Sequence, residues 1–247
     1  MAPAVARYDG HADWYDEVFS AFASGEDAVY VRQALGPGNG GVCLDVACGT
    51  GLRAQAVRDA GWSPVGFDIS ADQLRLARHR LGGVARADAC FLPVRDESVT
   101  VALGAYFHTD VEDFASVVAD IARCLRPGGR FVYVGLHPCF IGPFVDRTNE
   151  GNEETLTFTA GYGASGWARR GSGDGTGTWA RVGGHHKTLS TFLEAFTKAP
   201  LIVRAVHELS GSGVVLPRNL AVIAEKNGRS RIPKRGDRIG AYDGAGH

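Results

Sequence analysis

Two aspartates and two glycines, set around the junction of an apolar run and a helix, are the residues of this chain best placed to do chemistry. Asp45 lies inside Val42-Cys-Leu-Asp-Val46, Gly49-Thr-Gly51 follows at once, and Asp68 ends the next apolar run, Ser63-Pro-Val-Gly-Phe-Asp68. Small residues after a buried strand let the backbone approach a ligand closely, and a helix starting there offers unpaired N–H groups. An acid at the end of the second strand can accept from both ribose hydroxyls of an adenosine. Asp45, ahead of the glycines, would attract an ammonium or sulfonium centre and repel a diphosphate. A third acid, Asp88, followed by Ala89, comes after the run Val84–Ala87, where it can accept from an adenine exocyclic amine. That is a site for a cationic adenosine nucleoside. A rival is written in the same residues: Gly49-Thr-Gly51-Leu-Arg-Ala54 also fits the dinucleotide pattern G-x-G-x-x-G/A with an acid downstream.

These residues need strands that end in one crevice, and the chain supplies a regular alternation. Strands are expected at Val42–Val46, Ser63–Asp68, Val84–Ala87, Thr100–Ala105 and Arg130–Leu136. Helices are expected between them at Leu52–Ala60, Ala71–Leu81 and Val111–Cys124. Strands and helices at this spacing imply right-handed βαβ units and a parallel sheet. Two helices come first, from His11 and from Glu26 to Leu35, followed by the turn cluster Gly36-Pro-Gly-Asn-Gly-Gly41. The regularity breaks from Gly142 to Gly184, a glycine-rich insert with poor helix and strand propensity; so long a loop in a compact domain is usually functional or disordered. Thr188–Ala199 resumes as an amphipathic helix, and Leu201–Leu209 and Val214–Lys226 read as two neighbouring strands.

Taken in order, Leu44-Asp-Val-Ala-Cys-Gly-Thr-Gly51, Gly66-Phe-Asp68-Ile-Ser70, Arg86-Ala-Asp88-Ala89 and Leu125-Arg-Pro-Gly-Gly-Arg-Phe-Val132 resemble class I S-adenosylmethionine-dependent methyltransferases, in their small-molecule, ubiquinone-biosynthesis-like (methyltransferase type 11) branch. The resemblance covers roughly residues 40 to 137. It implies an α/β, Rossmann-like, doubly wound seven-stranded sheet with a C-terminal antiparallel hairpin strand, an N-terminal helical lid and an insert after strand five. It implies that Asp45, Ala47, Gly49 and Gly51 cradle the methionine moiety, that Asp68 and Ile69 hold ribose and adenine, and that Asp88 with Ala89 caps the adenine. Gln73 belongs to the same shell. Tyr15, in Asp9-Gly-His-Ala-Asp-Trp-Tyr15, sits in a segment that resembles the lid helix of these enzymes and would cover the cofactor. The corresponding organisation is 1–40 lid, 41–137 cofactor-binding half, 138–187 substrate-lid insert, 188–226 closing helix and strands, and a disordered tail over 227–247.

Methyl transfer is an in-line displacement in which the protein supplies alignment and desolvation, and a hydroxyl acceptor is helped by a general base. Histidine suits that task near neutral pH. His108 follows the fourth strand, His137 the fifth, and His186 ends the insert, so strand-end logic directs all three toward the methyl site. His137→Ala is then expected to lower turnover far more than cofactor affinity. Each histidine also has a plainer reading, as a hydrogen-bonded loop residue that shapes the pocket. Trp14, Val18 and Phe22 have one as a core-facing stripe. Arg169, Arg170 and Arg181 in the insert suit a substrate carboxylate or phosphate, or simply a solvated face.

Other classes are excluded by composition. The formal net charge of -1 gives no basic footprint for nucleic acid, and there is no Asn/Asp-Pro-Pro-aromatic motif after the fourth strand. No run of about 18 apolar residues suggests a membrane span, and the N-terminus does not read as a secretory signal. The five cysteines form no C-x-x-C pair, which disfavours a disulfide framework or a zinc site, and no metal is expected. The basic stretch from Lys226 lacks interleaved aromatics. The expectation is a cytoplasmic monomer or homodimer that methylates a small molecule from S-adenosyl-L-methionine, releasing S-adenosyl-L-homocysteine, with O- or N-methylation of a specialised metabolite favoured. The alternatives are an NAD(P)-dependent oxidoreductase, against which the lack of a Tyr-x-x-x-Lys pair counts, and a non-catalytic S-adenosylmethionine-binding module.

Overall fold

The computed structural model describes residues 5–150, 153–169, 177–210 and 216–228. The expected tail from 229 onward and Arg170 lie outside them. The elements run α1 (Ala12–Phe19), α2 (Glu26–Leu35), β1 (Val42–Val46), α3 (Ala54–Asp59), β2 (Ser63–Asp68), α4 (Ala71–Ala77), β3 (Gly83–Arg86), β4 (Val99–Ala105), α5 (Phe114–Cys124) and β5 (Leu125–Leu136). After these come β6 (Val145–Glu150), β7 (Glu153–Phe158), β8 (Gly166–Ala168), α6 (Thr178–Arg181), β9 (Gly184–His186), α7 (Leu189–Lys198), β10 (Leu201–Leu209) and β11 (Asn219–Lys226).

One seven-stranded sheet has the order β10-β11-β5-β4-β1-β2-β3. The strands from β3 through β5 are parallel; β11 runs antiparallel between β5 and β10. This is the expected Rossmann-like, doubly wound architecture. The direction of winding reverses between β1 and β4, and the carboxyl ends of those two strands open the crevice where such sheets bind ligands.

Period-2 alternation divides the central strands between two cores. Leu44, Val46, Ala102, Phe131 and Tyr133 pack against α5 and α7, with Phe114, Ile121, Phe192 and Phe196. Cys43, Val101, Leu103, Val132 and Val134 pack on the opposite face against α2 and α3, through Val31, Leu35 and Val57. Asp45 shares the parity of Cys43. Side-chain caps set the starts of three helices: Ser70 accepts from Gln73 N–H, Asp113 from Ser116 N–H and Thr188 from Thr191 N–H. Each such cap is worth about 1 kcal/mol.

The insert is more ordered than its composition predicts. β6 and β7 form an antiparallel hairpin, and β8 pairs with β9. The hairpin is rooted by buried Phe144 and Val145 and by Glu154, which pairs with Arg147 and Arg218. Only the alternation Thr155-Leu-Thr-Phe158 marks it in the sequence, and turn residues on both sides mask that pattern. The last strand begins at Asn219 rather than at Val214, which lies outside the described residues.

Candidate active site

The site begins where β1 stops. Ala47, Gly49 and Gly51 all take left-handed backbone, with φ of 52°, 54° and 79°. Such angles are free for glycine and costly for alanine, so Ala47 carries strain at the mouth of the crevice. Cys48 N–H donates to Phe67 O at 3.0 Å and ties the turn to the end of β2. The close approach depends on Gly66, where a Cβ would stand 2.5 Å from Leu81 Cδ1 and 2.6 Å from Cys48 Sγ. The same proximity fixes Asp68: Gly49 N–H and Ser70 N–H each donate to one of its carboxylate oxygens at 2.8 Å.

Asp45 lies beneath the turn, 2% exposed. Burial lifts its carboxyl to about 7, Asp68 adds to the rise and Arg53 opposes it. Burial likewise raises Asp68. Two carboxylates therefore flank the positive-φ turn in low dielectric, an arrangement that favours a bound cation and disfavours a diphosphate. Gln73 is buried nearby with its Oε1 unpartnered, close enough to the turn that a Cβ on Gly49 would stand 3.5 Å from it.

Two chambers meet at this turn. The first, about 690 Å³, is lined by Ala47, Gly49, Asp68, Ile69, Gln73, Asp88 and Ala89, with Tyr8 and Tyr15 from the N-terminal segment. The second, about 510 Å³, is lined by Asp45, Cys48, Arg53, Tyr106, Leu136 and Ile141 among others, and shares Ala47, Gly49, Tyr8, Tyr15, Ala105 and Tyr106 with the first. The residues expected to hold the cofactor thus gather at the two chambers, apart from Gly51. That residue lines neither chamber and shapes the turn, donating from its N–H to Cys48 O at 2.9 Å.

The histidines do not follow. None of the three lines either chamber. His108 is a core residue, ringed by Phe114, Tyr133 and Phe192, with Nδ1 2.6 Å from the Tyr133 hydroxyl. Burial, then Lys187 and the other histidines, push it down to about 3. His137 is 1% exposed; its Nδ1 accepts from Cys139 N–H at 3.1 Å, which leaves Nε2–H to donate to Glu208 at 2.9 Å. His186 Nε2 donates to Tyr162 O at 2.8 Å. Burial lowers both of these imidazoles. The strand-end argument located these residues along the strands but not the face on which their rings lie.

Other groups occupy the space assigned to histidine. Tyr106 has φ 61°, an outlier for a bulky residue. Its N–H donates to Val134 O at 2.8 Å and its hydroxyl to Asp27 Oδ2 at 2.7 Å. Asp27 also pairs with Arg53, whose guanidinium lies 5.4 Å from the Tyr106 ring centroid. Burial and then Asp27 raise the Tyr106 phenol above its ordinary range. In the first chamber the Tyr8 hydroxyl donates to Asp110 at 3.2 Å, and Asp110 is lifted to about 7, chiefly by burial. The position of Tyr106 immediately after the fourth strand was the only clue to it in the sequence.

The N-terminal segment covers the first chamber. Ser70 Oγ donates to Asp9 at 2.6 Å, Gly10 N–H donates to Asp72 at 2.9 Å, and Arg80 pairs with Asp16 at 2.5 Å. On the opposite side the segment meets the insert through two reciprocal cation–π contacts. Arg7 stands 3.5 Å from the Trp167 ring centroid and Arg181 4.3 Å from that of Trp14. Val18 and Phe22 are exposed rather than core-facing, and Phe22 lines the second chamber.

Comparison with known proteins agrees with this geometry. Residues 44–133 match the family model described as a methyltransferase domain. The demethylmenaquinone methyltransferases of Corynebacterium kroppenstedtii and Renibacterium salmoninarum are 31% and 30% identical over 51% and 57% of this chain. The chain spans 57% and 61% of those relatives' own lengths. An S-adenosylmethionine dependent methyltransferase from Mesorhizobium loti superposes with a TM-score of 0.67 at 25% identity, covering 83% of this chain and all of that one. By sequence match over residues 44–133 and by fold, the chain is similar to the class I S-adenosylmethionine-dependent methyltransferases.

Proposed function

We propose that this chain transfers a methyl group from S-adenosylmethionine to a small, largely apolar acceptor. The observation that carries the reading is the pair of buried carboxylates, Asp45 and Asp68, on either side of the left-handed turn at Ala47–Gly49. The residues fit the cofactor: the flanking carboxylates suit a positive centre, and Gln73 Oε1 is a spare acceptor beside the turn. When bound, S-adenosylmethionine supplies a methyl group made electrophilic by the neighbouring sulfonium. Asp45 would hold the ammonium, Asp68 the ribose hydroxyls, and Asp88 with Ala89 the adenine. Tyr8 and Tyr15 would exclude water from above.

The second chamber would take the acceptor. Phe19, Phe22, Tyr15, Tyr106, Leu136, Ile141 and Leu209 give it aromatic and aliphatic walls. Among the described residues no histidine lines it, and on this reading its walls do the work of alignment and desolvation. That favours an acceptor that is already nucleophilic: an amine, a phenolate or an electron-rich ring carbon. The last of these is in keeping with the demethylmenaquinone for which those relatives are named.

Calorimetry with S-adenosylhomocysteine and with NAD+, followed by transfer of isotope-labelled methyl to a panel of phenols, amines and hydroquinones, tests the proposal. Binding of the first ligand with label in one product class is the expected result. Tight binding of NAD+ with indifference to S-adenosylhomocysteine would overturn it, and cofactor binding with no labelled product would point to a non-catalytic binding module.

A further inference from the structure

A cationic nucleoside with an aminoacyl arm carries a carboxylate as well as an ammonium, and Asp45 answers only the ammonium. Among the described residues lining the second chamber, the cations are Arg53 and Arg218. Arg218 is 45% exposed, pairs with Glu154, and belongs to the end of the chamber formed by Leu209 and Asn219. Arg53 is 11% exposed and lines the same chamber as Asp45 and the glycine turn. It is near enough to Asp45 to counter the rise in that carboxyl.

The guanidinium is held in place but not saturated. Asp27 pairs with one terminal nitrogen, while the other makes only long bonds of 3.4 Å to Phe22 O and Ala23 O. Its Nε–H is buried with no partner. A buried donor left unpaired is costly, so this arginine is poised for an acceptor that is not part of the protein. Asp27 is itself fixed by the Tyr106 hydroxyl and by Ala28 N–H. The planar fork is therefore set before any ligand arrives, which suits recognition of a carboxylate.

We infer that Arg53 is the carboxylate anchor of the site, holding the α-carboxylate of the aminoacyl arm while Asp45 holds its ammonium. The inference rests on the cofactor reading above and adds a residue to it. It also gives the Asp27–Arg53 pair a purpose beyond stability: Asp27 orients a cation that the ligand completes.

The test compares three probes by calorimetry. S-adenosylhomocysteine has the full arm, 5′-deoxy-5′-(3-aminopropylthio)adenosine keeps the amine and lacks the carboxylate, and 5′-methylthioadenosine lacks both. On the wild type, loss of the carboxylate alone should weaken binding by about tenfold or more, the size of a charge-assisted contact. Arg53→Met should bring the first two probes to similar affinity and leave 5′-methylthioadenosine unchanged; that third probe also reports whether the variant is folded. Arg53→Lys should restore part of the preference. A preference for the carboxylate that survives in Arg53→Met would overturn the assignment, as would an equal weakening of all three probes in both variants. If the wild type binds 5′-methylthioadenosine but does not distinguish the other two, the anchor fails and the cofactor reading stands. If it binds none of the three, both fall.

Discussion

The Tyr106 hydroxyl donates to Asp27 Oδ2 at 2.7 Å, joining residues 79 positions apart and holding a left-handed tyrosine at the wall shared by the two chambers. A bulky residue at φ 61° costs on the order of 1–3 kcal/mol and persists only where its surroundings over-determine it. Here the determinants are the backbone bond to Val134 O, the bond to Asp27 and the guanidinium of Arg53 by the ring. Tyr106→Phe keeps the ring and removes the bond to a charged partner. Stability by urea unfolding should fall by about 1–2 kcal/mol. The affinity for 5′-methylthioadenosine, which lacks the aminoacyl arm, should hold. An unchanged unfolding midpoint would mean that the bond is not formed in solution.

The buried carboxylate beneath the turn makes cofactor binding depend on pH. Asp45 titrates at about 7 in the fold and near 3.9 in an unfolded chain. Because the folded form holds the proton more tightly, the stability this group contributes is present below about pH 4 and is lost as the pH rises through 7. A bound cation favours the ionised form. Affinity for S-adenosylhomocysteine should therefore rise between about pH 5.5 and 7, by up to tenfold per unit, and level off above. Asp45→Asn should reduce the slope and weaken binding at pH 8 much more than at pH 5.5. An identical slope in the variant would remove Asp45 from the cation site.

The three histidines call for the opposite expectation to the one the sequence suggests. Both ring nitrogens of His137 are engaged, by Cys139 N–H and by Glu208, and the ring lines neither chamber. His137→Ala leaves the Cys139 N–H without its acceptor and opens a cavity, at a cost of about 2–3 kcal/mol. Cofactor affinity and methyl transfer per folded molecule should stay within about twofold of wild type, since neither depends on a transition-state contact from this ring. A large loss of turnover with intact stability would return His137 to catalysis.

Why the turn was legible and the histidines were not follows from what local sequence can encode. The acid–glycine turn is local: an alternating apolar run, small residues and a second acid on the adjacent strand fix Asp45, Gly49 and Asp68 without reference to distant chain. Which face receives a residue beyond the end of a strand depends on backbone angles that no periodicity reports. The left-handed kink at Tyr106 sends that ring to the chambers and leaves His108 in the core. The Arg53–Asp27 pair joins α2 to the loop before α3, and the β6–β7 hairpin draws on Arg218 from far along the chain. Such pairings are set by tertiary packing and leave no mark on spacing.

Two arginine–tryptophan contacts join the N-terminal segment to the insert, each side supplying one arginine and one tryptophan. The segment's other polar contacts run to the α4 region, through Asp9, Gly10, Asp13 and Asp16, and to Asp110 through Tyr8, so it moves with the body of the domain. The insert is the part these contacts restrain. At about 0.5–1 kcal/mol each, the two together hold it by about 1–2 kcal/mol. The double variant Arg7→Ala/Arg181→Ala should raise the dissociation rate of S-adenosylhomocysteine by about 5–30-fold, the equivalent of that energy. Stopped-flow tryptophan fluorescence reads the rate directly, because Trp14 and Trp167 are the stacked partners. The urea midpoint should fall by no more than that energy, as the domain core is untouched. If the rate is unchanged while the midpoint falls, the two contacts stabilise the fold and do not gate the chamber.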